Sequence, residues 1–259
     1  MKPLCLVVAA WLMAACSPID ELTFTPTPTL TPIAPDTGWQ TVSAGIEVRE
    51  LSVINASRHD RLLIARVDPS LASFQVRYSP DRPRRVGEWL DAEQARLVIN
   101  GGFFGTDNRA LGLLISDGQA FGESYVDLGG LFGVSQGRVQ VRSLILQPYS
   151  PAETFEHMVQ SFPMLLNHRA ANDRIRDDGD IAPRSVVGLD RAGRIVFLVS
   201  PRPIFSLTDL AMWLSQSDLE LDAALNLDGG TSSGLMARTA DGVWGIDSWI
   251  AVPAVIVVK

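Results

Sequence analysis

The sequence predicts an α+β fold in which a mixed or antiparallel sheet holds most of the chain and helices are few. Three observations carry that expectation. From Trp39 onward, short apolar runs alternate with turn residues at the spacing of strands. The dipeptides Asp117-Gly118 and Ala192-Gly193 stand between pairs of these runs, where a hairpin needs its turn. Only two segments, 86–95 and 207–216, carry apolar residues at helical spacing. At 259 residues and 46% hydrophobic, the chain is long and apolar enough to bury a sizeable core in one domain.

The N-terminus reads as something other than that domain. Lys2 precedes an apolar run from Leu4 to Ala15 that closes on the small residues Ala14 and Ala15, the pattern of a secretory signal. The run is too short to cross a bilayer as a mature helix. It stops at Cys16 in Leu12-Met13-Ala14-Ala15-Cys16, which resembles a bacterial lipobox with its leucine one place further back than usual. Residues 1–15 are therefore expected to be a lipoprotein signal peptide and Cys16 the lipidated residue. The protein would then be extracytoplasmic, anchored to a membrane by its lipid at the cell surface or in the periplasm. Plain secretion with an unmodified Cys16 is the alternative. Cys5, the only other cysteine, lies in the segment to be removed, so no internal disulfide and no thiol nucleophile besides Cys16 is expected in the mature chain.

Residues 16–38 form a Thr/Pro-rich linker centred on Thr25-Pro26-Thr27-Pro28-Thr29, expected to be an extended stalk. Residues 39–259 are read as the domain. A net charge of -7 and a pI near 5.0 supply no long-range attraction for nucleic acid, which is not an expected partner.

Within the domain, strands are predicted over 45–53, 62–67, 74–78, 96–100, 111–116, 138–143, 185–189, 194–200, 223–228 and 252–258. The second helix has Leu207, Leu210, Ala211 and Leu214 on one face behind Ser206, a residue type suited to capping.

Three clusters carry the candidate chemistry. Val98-Ile99-Asn100-Gly101-Gly102-Phe103-Phe104-Gly105 is an apolar strand running into paired glycines, which permit positive φ and close approach of a ligand to backbone N–H groups. A tight turn with two core phenylalanines would read the same way. Ala224-Leu225-Asn226-Leu227-Asp228-Gly229-Gly230-Thr231-Ser232-Ser233-Gly234 sets Asp228 at a strand end, where a scaffold presents a carboxylate, with hydroxyls just beyond it. An Asp-Gly turn capped by its own side chain is the alternative. In Pro183-Arg184-Ser185-Val186-Val187-Gly188, Arg184 opens an apolar strand with a planar guanidinium that suits a phosphate, or else a structural ion pair.

The order and wording of these clusters resemble the phosphodiester glycosidase family. Such domains show Asn-Gly-Gly-Phe-Phe, then Pro-Arg-Thr/Ser before a glycine-bearing strand, a helix opening Thr-Leu, and Asn-Leu-Asp-Gly-Gly-Gly-Ser-Ser. This chain has Asn100 to Phe104, Pro183 to Gly188, Ser206 to Leu210 and Asn226 to Ser233 in that order. Two departures stand out. Thr231 replaces the third glycine, where a side chain is expected to narrow the turn, and residues 249–253 match the family's ending only loosely.

The resemblance implies a hydrolase that cleaves the bond between a sugar's anomeric carbon and a phosphate oxygen in surface or extracellular glycans. Asp228, Arg184 and Asn100 are the expected catalytic residues. Gly101, Gly102, Phe103, Asn226, Gly229, Gly230, Thr231 and Ser232 are the expected substrate-binding ones. Arg184 and backbone donors near Gly101 and Gly102 would bind the phosphate, Asp228 would act as nucleophile, stabiliser or base, and Asn100 would orient the substrate. The implied partner is a phosphorylated glycan or sugar-1-phosphodiester. No cofactor is expected, and a bound divalent metal is left open. The alternative is a glycan-binding envelope lipoprotein linked to exopolysaccharide that performs no turnover. His59, His157 and His168 lack metal-ligand spacing, and Asp177-Asp178-Gly179-Asp180 reads as a solvated turn. No Gly-x-Ser-x-Gly elbow or phosphate-loop lysine points to an esterase or nucleotide hydrolase.

Overall fold

The computed structural model describes residues 35–125, 129–176 and 179–259, so the expected signal peptide, Cys16, nearly all of the Thr/Pro-rich stretch and the acidic pair Asp177-Asp178 lie outside the described residues. The large sheet contains β1 (Gln40–Ser43), β2 (Ile46–Asn55), β3 (Arg58–Val67), β11 (Met164–Asn167), β12 (Ala170–Ala171), β13 (Ala182–Asp190), β14 (Ile195–Phe205) and β15 (Leu221–Asn226), in the order β1-β2-β3-β14-β13-β15-β11-β12. A second sheet, ordered β7-β6-β10-β8-β9, joins β6 (Leu114–Ser116), β7 (Gln119–Phe121), β8 (Gly130–Ser135), β9 (Arg138–Ser143) and β10 (His157–Ser161). The third, ordered β17-β16-β5-β18-β4, joins β4 (Phe74–Tyr78), β5 (Leu97–Asn100), β16 (Leu235–Thr239), β17 (Gly242–Ile246) and β18 (Ala254–Val258). The strand pairings are antiparallel. Two helices, α1 (Val86–Ala92) and α2 (Leu207–Gln216), pack outside the sheets. The fold is therefore mostly β, a correction to the α+β expectation.

The apolar runs explain the layers. In β18 every residue is buried because alternate side chains enter different cores: Ala254, Ile256 and Val258 face the central one, Val255 and Val257 the one beneath α1. Such a strand loses its period-2 signature and reads as one continuous apolar run. The central core joins all three sheets, with Phe74 of the third sheet 6.0 Å from Phe132 of the second and 6.4 Å from Phe197 of the first, measured between ring centroids. On the opposite face of the large sheet, α2 buries Leu210, Ala211 and Leu214 against Leu198 and Phe205. Ser206 caps that helix by accepting a hydrogen bond from the Asp209 N–H at 3.1 Å. The first helix stops at Ala92, short of the expected Ala95, because Gln94 turns left-handed with φ 48°.

The described residues begin ahead of the expected boundary at Trp39 and are held there. The Pro35 carbonyl accepts from the Ser52 N–H, and both Asp36 carboxylate oxygens accept from the Arg49 guanidinium at 2.8 and 2.6 Å.

Candidate active site

The site is assembled where β5 and β15 end and β13 begins. In the β13–β15 ladder Val186 faces Asn226, and the Leu227 N–H donates to the Ser185 carbonyl at 2.8 Å. Continuing that register by two residues places Arg184 opposite Asp228 on one face of the sheet. Ser185, its side chain on the other face, donates to Asn100 Oδ1 at 2.8 Å.

Asn100, fully buried at 0% exposure, is the joint between the three motif clusters. Its Nδ2 donates to the Asp228 carbonyl at 2.7 Å, and its Oδ1 also accepts from the Gly234 N–H at 3.2 Å. Backbone bonds run alongside: Asn100 N–H to the Gly234 carbonyl at 3.2 Å, and Asp228 N–H to the Gly101 carbonyl at 3.1 Å. The amide of Asn100 is thus committed to holding the two turns in register.

Asp228 is the titratable centre of the arrangement. Burial pushes its carboxyl up to about 6, against the lowering effect of hydrogen bonds from the Ser232 side chain and the Gly229 N–H. Arg184, 8% exposed, is itself anchored: its Nε–H donates to the Phe205 carbonyl at 3.3 Å and an Nη to the Asp180 carbonyl at 2.6 Å. A bulge between Ala182 and Arg184, opposite the Pro201–Pro203 excursion of β14, sets the point from which Arg184 projects.

The glycines have a reason different from the expected one. Among Gly101, Gly102, Gly229 and Gly230, only Gly230 has positive φ, at +60°. A Cβ on Gly102 would stand 2.7 Å from the Gln160 carbonyl oxygen, and one on Gly229 2.8 Å from that of Pro183. They are glycines because neighbouring backbone passes where a side chain would be. The Gly101 N–H is also spent on the Ala254 carbonyl at 2.9 Å, so it is not the phosphate donor expected from the sequence. Thr231 is exposed within the short 3-10 turn Gly230–Ser232 and does not have positive φ, so the turn keeps its path with a side chain there.

Phe103 is stacked on Phe162 with centroids 4.5 Å apart, and Tyr125 meets Phe162 edge-on at 5.4 Å. The Phe162 carbonyl accepts from Asn226 Nδ2 at 2.9 Å, which joins this aromatic wall to the strand carrying Asp228. Asn226 Oδ1 and Ser233 Oγ are buried and have no hydrogen-bond partner among the described residues, leaving unsatisfied polar capacity on either side of Asp228. Sequence reasoning missed Phe162, Tyr125 and Ser185, while Ser233 was among the hydroxyls it set beside Asp228. Phe162 and Tyr125 lie in unpatterned loops that only tertiary contact brings to the site. Ser185 and Ser233 stood inside the recognised clusters, where strand alternation could have singled out Ser185. Among the histidines, His157 is buried and accepts from the Asp117 N–H at 3.3 Å, while His59 and His168 are exposed. Among the described residues no three His, Cys, Asp or Glu side chains come together as a metal-ligand group.

A mostly-β domain with a partly buried carboxyl in a glycine-rich strand-end turn, and an arginine at the opposing register position, defines the class of site. A family model described as phosphodiester glycosidase matches residues 93–259, and the chain belongs to that family. It is 30% identical over 149 residues to the uncharacterized protein YigE of Escherichia coli, a stretch spanning 54% of this chain and 57% of that one, so just over half of each protein is compared. Among solved structures it superimposes on the zebrafish N-acetylglucosamine-1-phosphodiester alpha-N-acetylglucosaminidase catalytic domain, auto-inhibited by its pro-peptide, with a TM-score of 0.65 and 20% identity, covering 85% of each chain. A hypothetical protein from Synechocystis gives 0.67 at 15% identity, over 83% of this chain and 62% of that one. At these identities the structural matches establish a shared fold.

Proposed function

We propose that the protein hydrolyses sugar-1-phosphodiesters, releasing a free sugar and a phosphomonoester, and that Asp228 and Arg184 carry the reaction. The observation behind this reading is the Asp228 carboxyl: partly buried in a strand-end turn of a phosphodiester glycosidase domain, with its pKa raised to about 6. Near neutral pH such a carboxyl is ionised for most of the time yet poorly solvated, which suits it to face the positive charge that develops at an anomeric carbon, or to activate water. Phosphate leaves far more readily than a sugar alkoxide, so a second, strongly acidic group is less needed than in ordinary glycoside hydrolysis. Arg184, on the same face, supplies the permanent cation for the departing phosphate. The Phe103–Phe162 wall suits the apolar side of a sugar ring. Asn100, Ser232 and the glycines position these groups.

The test is hydrolysis of a panel of sugar-1-phosphodiesters by the protein, with sugar and phosphomonoester both quantified and the anomer of the released sugar followed by NMR. Turnover lost in Asp228→Asn and in Arg184→Ala is the expected result; full activity in Asp228→Asn would end the assignment. Tight saturable binding without product would replace it with a glycan-binding role. The surface or extracellular setting rests on the signal-like N-terminus. Metabolic labelling with a fatty acid, abolished by Cys16→Ser, is the expected sign of a lipid anchor.

A further inference from the structure

Trp249 is 74% exposed, a large apolar side chain held out into solvent next to the candidate active site. Its backbone is clamped on both sides. The N–H groups of Trp249 and Ile250 both donate to the Thr231 carbonyl, at 2.9 and 3.3 Å. Ser248, 1% exposed, accepts from the Val86 N–H at 3.1 Å and donates to the Ile250 carbonyl at 2.7 Å. Thr231 lies three residues beyond Asp228, a span of at most about 11 Å of chain. Between them the chain turns tightly, the Ser232 N–H donating to the Gly229 carbonyl at 3.2 Å.

We infer that Trp249 is a stacking platform for a saccharide ring next to the ring at the scissile bond, so that the enzyme acts on glycan chains in preference to minimal diesters. The size of the surface argues for such an occupant. Trp249 with Ile250, 40% exposed, offers the footprint of about one ring, far below the roughly 800 Å² per partner of a stable protein interface. Its neighbours argue the same way: the exposed Thr231 and the half-buried Asp247 give a polar rim around an apolar face, matching a sugar with its C–H face down and its hydroxyls outward. The inference rests on the proposed hydrolase reading for its kinetic consequence but has a binding test of its own.

The experiment compares wild type with Trp249→Ala and Trp249→Phe on two substrates: the methyl diester of N-acetylglucosamine 1-phosphate, and a diester joining the same sugar phosphate to a trisaccharide. In Trp249→Ala the KM for the trisaccharide diester should rise about five- to tenfold with kcat and methyl-diester kinetics unchanged, and Trp249→Phe should recover most of the loss. In parallel, the Trp249 indole N–H resonance, assigned with the Phe variant, is followed while neutral and amino-sugar trisaccharides are added. A shift that saturates supports the platform even if no diester is turned over, in which case it is the hydrolase reading that has failed. Equal kinetics in wild type and Trp249→Ala on a substrate that is turned over would overturn the inference. So would an indole resonance that no saccharide moves, or that moves only with phospholipid vesicles.

Discussion

At the scale of single residues, Asp228 ties the proposed chemistry to stability. Its folded pKa of about 6 stands above the ordinary value of 3.8, so the folded protein holds that proton more tightly than the unfolded chain. The stability associated with it is therefore full below about pH 4 and is lost as pH rises through 6, by an amount on the order of 2–3 kcal/mol. Asp228→Asn should consequently raise the melting temperature relative to wild type at pH 7.5 but not at pH 4. A difference in melting temperature that ignored pH would show that burial is not what raises the carboxyl. For activity the sign is opposite: if the ionised form works, kcat/KM should rise with pH and reach half its plateau near pH 6. Asn100 behaves differently, because its partners are internal. Asn100→Ala leaves Ser185 Oγ, the Gly234 N–H and the Asp228 carbonyl without their side-chain partner. It should cost about 2–4 kcal/mol in denaturant unfolding and reduce kcat even where the variant remains folded.

At the scale of elements, the glycines of the Asn-Gly-Gly segment serve the crossing of strands. Gly102→Ala would press a methyl group against the Gln160 carbonyl and the Val159 side chain, at 2.7 and 3.0 Å. A loss of about 1–3 kcal/mol is expected by thermal melting, with the Phe103–Phe162 stack displaced. An unchanged melting temperature would mean that β5 and β10 separate more easily than their contacts imply. The strand predictions were accurate where one face is apolar and the other polar, as in Phe74–Tyr78 and Arg138–Ser143, whose bounds match. They missed the short strands β1, β7, β11, β12, β16 and β17, and also β8, with two glycines, and β10, where Gln160 and Ser161 are buried polar residues, because β8 and β10 owe their burial to neighbours and lack a pattern of their own. The bulge at Pro183 was equally invisible, since a proline at a strand's start carries no signature of the partner strand's excursion.

At the scale of the whole molecule, three sheets share one core, and its aromatic junction of Phe74, Phe132 and Phe197 should be its most sensitive point. Phe197→Ala removes a fully buried ring that two sheets cannot both move to replace, and a loss of about 3–5 kcal/mol in equilibrium unfolding is expected. A much smaller cost would mean that the sheets slide together around the cavity.

The amino-acid sequence by itself determined the three clusters around Asn100, Arg184 and Asp228, their order, the cap at Ser206 and the family to which they belong, because strand-end turns and caps are local structures that leave local residue patterns. Only the tertiary structure decided which atoms those residues have left to offer. Asn100 spends its amide on the two turns, Gly101 its N–H on Ala254, while Phe162 and Tyr125 arrive from distant loops. Hydrogen bonding and burial belong to pairs of groups, and the second member of each pair lies dozens of residues away in the chain.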